Sequence, residues 1–349
     1  MKSPNANAVG VIGFGRMGRT RAQALEEDGR ARILRIYDPL PPESHRYRLA
    51  ASAREILDDP EIASVFLCGP NDALPTQAIA ALRAGKHVFS EKPPAFNTAQ
   101  LREVIAAERR SGRKLMYGFN HRHHAGVCEM KERVESGAFG RVLWMRGRYG
   151  KSVDERYLDG WRADAARAGG GILLDQGIHM LDLFLHIGGV SFDETHAFVS
   201  SRYWDIAGAE DNVFAILRNS DTGLEASLHS TMTQWRHLFC LEVCLERGYL
   251  TLDGLNTSSG TYGEETLIIG RNGATAPAAT SRSEERLHFP VDTSWRSEVE
   301  HFMNAVTLDA PLRHGTSAQA LAVMSLIDSI YQNERRVSDV LHKRLQRPN

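Results

Sequence analysis

Apolar residues fall into two regimes along this chain. Over roughly the first 120 residues, short apolar runs alternate with segments of helical period. Ala8 to Ile12, Ala31 to Tyr37, Ile62 to Cys68, His87 to Ser90 and Leu115 to Phe119 read as strands. Met17 to Asp28, Ala53 to Leu57, Thr76 to Ala84 and Thr98 to Arg110 read as helices, with Gly29 and Gly85 as stops and Thr98 as an N-cap. Such alternation predicts a parallel sheet covered by helices. Beyond it the pattern changes. A helix from Ala125 to Ser136 and a strand from Arg141 to Tyr149 precede three glycines and a long apolar helix, Ile172 to Ile187. Strand-like runs follow at Thr195–Trp204, Asp211–Arg218, Leu224–Thr233, Leu238–Leu245 and Tyr249–Leu252. They predict one open, mostly antiparallel sheet. Residues 256–285, rich in Gly, Ser, Thr and Ala, read as hairpins and mobile loop. Ser294 to Val306 and Ser317 to Asn333 are closing helices. The fold class is thus α/β, with a dinucleotide-type first domain (1–122) and an α+β second domain (123–349) whose terminal helices could return to the first.

Composition narrows the function. The 349 residues carry 42 Lys+Arg against 43 Asp+Glu, a net charge of −1, so bulk attraction to nucleic acid or anionic lipid is absent. Four cysteines make no disulfide framework and suit a reducing compartment. No secretory leader and no membrane span is expected, which places the chain in the cytoplasm. His121, His123 and His124 cluster without the spacing of a metal site, so no metal is expected; Cys240 and Cys244 read as core residues.

Two patterns carry chemistry. Gly13-Phe14-Gly15-Arg16-Met17-Gly18 follows a strand and opens a helix, the arrangement that admits a pyrophosphate to a helix N-terminus. Asp38 ends the second strand twenty residues past Gly18, where a carboxylate accepts from ribose hydroxyls. It favours NAD over NADP, although Arg46 stands near enough in sequence to serve a phosphate. The second pattern is polar. Asp175 and His179 are four apart, hence on one face of the predicted helix, with Asp182 nearby; the rest of that helix is apolar. An isolated pair of this kind is more often a satisfied buried pair than a functional one. Lys92, in Ser90-Glu91-Lys92-Pro93-Pro94, sits at the carboxyl edge of a predicted parallel strand, where open α/β sheets bind ligands.

Gly13–Gly18, Gly69-Pro70-Asn71, Ala84–Val88, Glu91-Lys92-Pro93, Gly118-Phe119-Asn120 and Gly169–Asp182 together resemble the Gfo/Idh/MocA oxidoreductases (glucose–fructose oxidoreductase, inositol dehydrogenase, rhizopine catabolism) over essentially the whole chain. The resemblance implies a Rossmann domain and an open-sheet domain that forms homodimers or homotetramers through its exposed face. By position it implies Lys92, Asp175 and His179 as catalytic residues: His179 as proton acceptor, Asp175 orienting hydroxyls, Lys92 hydrogen-bonding the reacting oxygen. It implies the glycine loop, Asp38, Gly69, Pro70, Asn71, Glu91, Lys92, Asn120 and Arg162 as cofactor contacts. Leu74 departs from the family, in which many members carry a His. Trp161-Arg162-Ala163-Asp164, Trp204 and Glu210-Asp211-Asn212 resemble a branch associated with sugars and sugar nucleotides. The expected activity is hydride transfer between NAD(P) and a ring hydroxyl or ketone of a sugar-like small molecule. The alternatives are a cyclitol or polyol dehydrogenase and a catalytically silent NAD-sensing regulator, against which the intact triad speaks.

Overall fold

The computed structural model describes residues 8–40, 46–257, 259–272 and 283–345, with side chains described as far as 333. The chain divides into two compact units. The first comprises residues 1–123, 166–169 and 293–324; the second comprises 124–165, 170–292 and 325–349.

In the first unit five parallel strands alternate with helices: β1 Ala8–Ile12, α1 Arg16–Asp28, β2 Arg32–Tyr37, α2 Ala53–Asp58, β3 Ser64–Leu67, α3 Leu74–Arg83, β4 His87–Glu91, α4 Thr98–Ser111 and β5 Leu115–Gly118. Their order is β2-β1-β3-β4-β5, the doubly wound arrangement that the alternation predicts. β1 and β3, at the middle of the sheet, are buried on both faces and read accordingly as continuous apolar runs, whereas the edge strand β2 carries Arg32 and Arg35 and is mostly half-exposed. α1 ends where Gly29 turns left-handed and donates to Leu25 O. The N-cap of α4 is Asn97, not Thr98: the Asn97 side chain accepts from Gln100 N at 3.0 Å. The helix α8, Ser294–Thr307, completes this core: Phe66 stacks on Phe89 at 4.8 Å, and Phe302 meets both edge-on.

The second unit holds α5 Ala125–Glu135, β6 Val142–Ser152, a π-helical turn Leu173–Gly177, α7 Ile178–Gly188, β7 Glu194–Ser200, β8 Asn212–Arg218, β9 Glu225–Thr231, β10 Thr233–Leu245, β11 Gly248–Asp253, β12 Glu265–Arg271 and β13 Glu285–Phe289; the short α6, Ala165–Ala168, lies at the unit boundary. Eight strands form one sheet, ordered β13-β12-β11-β10-β6-β9-β8-β7. All neighbours are antiparallel except β6 and β9. α7 covers one face; Gly147 on β6 leaves room for Met180 and Phe184.

Three expectations are corrected here. The strand predicted to reach Trp204 ends at Ser200, because the buried Asp211 carboxylate takes the backbone N–H groups of Arg202, Tyr203 and Trp204. The stretch 256–285 contains a strand, β12, whose Leu267 and Ile269 are buried between β11 and β13; residues 258 and 273–282 lie outside the described residues. The helix from Ile172 is helical throughout but not uniformly α, since Leu173–Gly177 form a π turn. The closing helices are α8 Ser294–Thr307, which packs on α1, and α9 Ser317–Leu345.

Candidate functional site

In the first unit, the loop between β1 and α1 is shaped for close approach. Gly13 has φ +89°, and a Cβ there would lie 2.5 Å from Gly69 N. A Cβ on Gly18 would lie 2.1 Å from Gly13 O, so this glycine lets α1 start against the turn. Gly15, by contrast, is exposed and has nothing within 4 Å of where its Cβ would be. As N-cap of α1 it supplies no side-chain acceptor to the first-turn N–H groups of Arg16, Met17 and Gly18. The open cradle and these uncapped donors fit a pyrophosphate.

Phe14 is buried, edge-on to Tyr47 at 5.5 Å. Its backbone N–H donates to Asp38 Oδ2 at 2.6 Å, and Leu40 N donates to Asp38 Oδ1 at 2.9 Å. Asp38 thus pins the glycine loop to the end of β2 while remaining half-exposed. Arg46 pairs with Glu26 and not with the Asp38 end of the strand.

The other predicted cofactor residues of this unit have settled partners. Asn71 donates to Ala168 O at 2.9 Å, next to Gly69 and Pro70 at the end of β3. Asn120 donates to Ser294 Oγ at 3.3 Å and faces His121 Nδ1 at 3.1 Å. The Glu91 carboxylate is buried and accepts from Arg21 Nε at 2.6 Å; Arg21 Nη1 reaches Glu298 at 2.5 Å. Arg21 itself lies between the rings of Phe89 and Trp295. Burial opposes its charge, but the carboxylates of Glu298 and Glu91 raise its pKa above the ordinary value. Lys92, the next residue after Glu91, is half-buried and begins the loop that follows β4, with a cis bond to Pro93.

The second unit carries Asp175 and His179. The i→i+5 bonding of the π turn, seen as Ile178 N to Leu173 O, widens this stretch, so four residues no longer make one turn. Asp175 lies inside the widened turn, and the buried His179 lies in the first turn of α7. Lys151 Nζ is 2.8 Å from Asp175 Oδ2, and Arg162 Nε is 3.6 Å from Oδ1. Arg162 is therefore beside the predicted catalytic carboxylate, with its guanidinium over Trp161 at 4.4 Å. Lys151 lies over the Tyr157 ring. His179 and Tyr149 have ring centroids 6.4 Å apart.

Glu210 anchors this segment from below. Its carboxylate accepts from Gly171 N and Leu173 N, both at 2.9 Å, and from Tyr331 OH at 3.0 Å. Burial raises its pKa, while the backbone N–H groups of Leu173 and Gly171 oppose the rise. A Cβ on Gly171 would fall 1.9 Å from Glu210 O, which explains the glycine. Lys151 was not found from sequence, because the strand predicted to end at Tyr149 continues to Ser152. Among the described residues no group of three His, Cys, Asp or Glu could hold a metal ion, and no helix is long and apolar enough to cross a membrane. His124 instead pairs with the buried Glu265 at 2.8 Å. Cys240 is buried and Cys244 half-buried, both as free thiols.

Comparison with known proteins agrees with both halves. The oxidoreductase family with an NAD-binding Rossmann fold matches residues 8–119, and the GFO/IDH/MocA C-terminal domain matches residues 127–251. A 1,5-anhydro-D-fructose reductase of Ensifer adhaerens is 32% identical over 52% of this chain and 54% of its own length. The myo-inositol 2-dehydrogenase of Thermotoga maritima is 26% identical over 74% of this chain and 78% of its own. The chain spans about half the length, 54–56%, of two of the curated relatives it matches. The WlbA dehydrogenase of Bordetella pertussis, solved with NADH and UDP-GlcNAcA, superposes with a TM-score of 0.78 at 22% identity, covering 95% of this chain and 97% of that one. That likeness bears on the fold. With both of its domains matched, the chain belongs to the Gfo/Idh/MocA family of oxidoreductases.

Proposed function

We propose that this protein is an NAD-dependent oxidoreductase acting on a secondary ring hydroxyl, or the corresponding ketone, of a sugar or sugar derivative. The observation that carries this reading is the pairing of family membership with an Asp175 carboxylate held between two cations, four residues before a buried His179. NAD would be held by the glycine loop, with its pyrophosphate at Arg16–Gly18 and its adenosine ribose at Asp38; Gly69, Pro70, Asn71, Lys92, Asn120 and Arg162 are proposed as further contacts. Glu91 contributes through Arg21, which fixes the backbone entering Lys92. When bound, NAD supplies the acceptor for the hydride that leaves the carbinol carbon.

The remaining chemistry belongs to the chain. Oxidation of an alcohol also releases the hydroxyl proton. His179 takes it on an imidazole nitrogen, a transfer suited to a group that titrates near neutrality in water. Lys92 hydrogen-bonds the reacting oxygen as negative charge develops there. Asp175, oriented by Lys151 and Arg162, accepts from the substrate's neighbouring hydroxyls. A cyclitol is the second substrate class, favoured by the myo-inositol 2-dehydrogenase relative.

The same reading includes a homo-oligomer. The sheet exposes Phe198, Phe214 and Ile216, and Phe198 is paired with Phe214 across β7 and β8. We expect Ile216→Arg to dissociate the assembly in light scattering; an unchanged mass would refute that face as the interface.

The deciding experiment titrates the protein with NADH and then offers NAD with aldoses, glycosides, sugar nucleotides and cyclitols. His179→Ala and Lys92→Ala should bind NADH as the wild type does and lose about 10²–10⁴-fold in kcat. Near-normal kcat in either variant refutes its role. NADH binding with no turnover on any compound favours the NAD-sensing regulator.

A further inference from the structure

The second unit has a local irregularity beside Asp175 that the reading above leaves unused. Where β10 pairs with β6, the register steps from Thr233↔Ser152 to Leu238↔Gly150. Five steps along β10 thus match two along β6, and residues 234–237 bulge out opposite Lys151. The neighbouring strand accommodates this. A Cβ on Gly150 would meet the Gln234 side chain at 2.7 Å, so the glycine makes space for the bulge.

The side chains of the bulge meet different partners: Gln234 lies at Gly150, Trp235 meets the Tyr203 ring, and His237 turns to Tyr262. His237 meets the Tyr262 ring edge-on at 4.7 Å. Tyr262 meets Tyr149 at 5.5 Å, and Tyr149 lies 6.4 Å from His179. A line of rings therefore runs from His179 to the bulge. Lys151 stands opposite the bulge with its ammonium on Asp175.

We propose that the bulge at 234–237 and Tyr262 form the sugar-selecting wall of this unit, where His237 reads ring hydroxyls and Lys151 and Arg162 exclude sugars that carry a charged amine. The inference rests on the sugar-oxidoreductase reading and adds its specificity element. A neutral imidazole offers one donor and one acceptor nitrogen, the pairing a hydroxyl needs. Burial lowers the His237 pKa, and the nearby Lys151 charge lowers it further, which favours the neutral imidazole. Two cations against the single Asp175 carboxylate make the approach of an ammonium unfavourable.

The test uses the full-length, NADH-loaded protein with ¹³C-labelled histidine. D-glucose, D-galactose, N-acetyl-D-glucosamine and D-glucosamine are titrated at a pH that keeps the amine of the last charged. The His237 resonance is assigned by its loss in His237→Gln. The expected result is a His237 shift with at least one uncharged sugar, and binding of D-glucosamine weaker than that sugar by about tenfold or more. On any sugar turned over, His237→Ala raises KM about tenfold and leaves kcat within about twofold. The inference is overturned if none of the sugars moves the His237 signal, if D-glucosamine binds as tightly as the others, or if His237→Ala lowers kcat at unchanged KM. Failure to bind NADH at all, by contrast, refutes the cofactor reading itself, which the His237 signal does not report.

Discussion

Arg21 offers the sharpest test of how the first unit is held together. Its guanidinium is fully buried between Phe89 and Trp295, with Glu91 at 2.6 Å and Glu298 at 2.5 Å. Replacing Arg21 by Met keeps a long apolar side chain against both rings, so little packing is lost. What remains is two buried carboxylates with their shared counter-charge gone. Removing one partner of a buried ion pair costs about 3–5 kcal/mol, because the surviving charge stays desolvated. With two such charges we expect the upper end of that range. Arg21→Met combined with Glu91→Gln and Glu298→Gln removes the charges as well as the pairing, and should recover stability to within about 1–2 kcal/mol of the wild type. The assay is urea unfolding followed by tryptophan fluorescence, with Trp295 as reporter, since its ring touches Arg21. A loss below about 1 kcal/mol in the single variant, or no recovery in the triple, refutes the argument. Because Glu91 precedes Lys92, the single variant should also weaken NADH binding.

Three further outcomes follow from the structure. Asp38→Ser removes the carboxylate that accepts from Phe14 N and Leu40 N, and should narrow the preference for NADH over NADPH about tenfold in fluorescence titration; an unchanged ratio refutes the assignment. Gly171→Ala places a Cβ 1.9 Å from Glu210 O and should destabilise the second unit by about 1–3 kcal/mol in denaturant melts, while NADH affinity is kept; a neutral result means the Glu210 anchor moves freely. His87 is held down to about 4, first by burial and then by Arg113 and Lys114, and burial holds His123 well below its ordinary value. A depressed histidine binds protons more readily in the unfolded chain, so stability is lost as pH falls from about 6.5 towards 4. His87→Gln should flatten that part of the stability profile, and an identical slope would refute the linkage.

Sequence and structure agree where a single period governs. In the first unit strands and helices alternate, and the order of apolar runs sufficed to place β1 to β5. The glycine loop was legible because Gly13 and Gly18 each meet a separate steric demand, while Gly15 leaves the cradle open. Elsewhere the signal was masked by long-range partners. Asp211 ends β7 by collecting N–H groups from residues seven to nine positions earlier. β12 was hidden in a Gly- and Ser-rich context, although Leu267 and Ile269 alternate with half-exposed residues. Lys151 became a candidate only once β6 was seen to run three residues past Tyr149.

Two residues proposed for the second unit's site, Asp175 and His237, lie at departures from regular structure, while His179 lies in the regular α7. Asp175 is in a π turn, held by Glu210 through N–H groups of Gly171 and Leu173. His237 is in a bulge, made possible by a glycine on the facing strand. A regular helix would place Asp175 and His179 by the i, i+4 rule, and a regular β10 would alternate Gln234 to His237 across the sheet. Neither rule applies there. Each irregularity is stabilised by a residue distant in sequence, Glu210 in one case and Gly150 in the other, which no local pattern announces. The period of the chain therefore predicts the scaffold, and its interruptions mark where distant residues override that period. The prediction that separates this account from chance irregularity is specific. Closing the bulge by deleting three residues from 234–237 should preserve the cooperative unfolding of the second unit and NADH binding, yet abolish sugar recognition. A deletion variant that retained wild-type KM would show the bulge to be incidental.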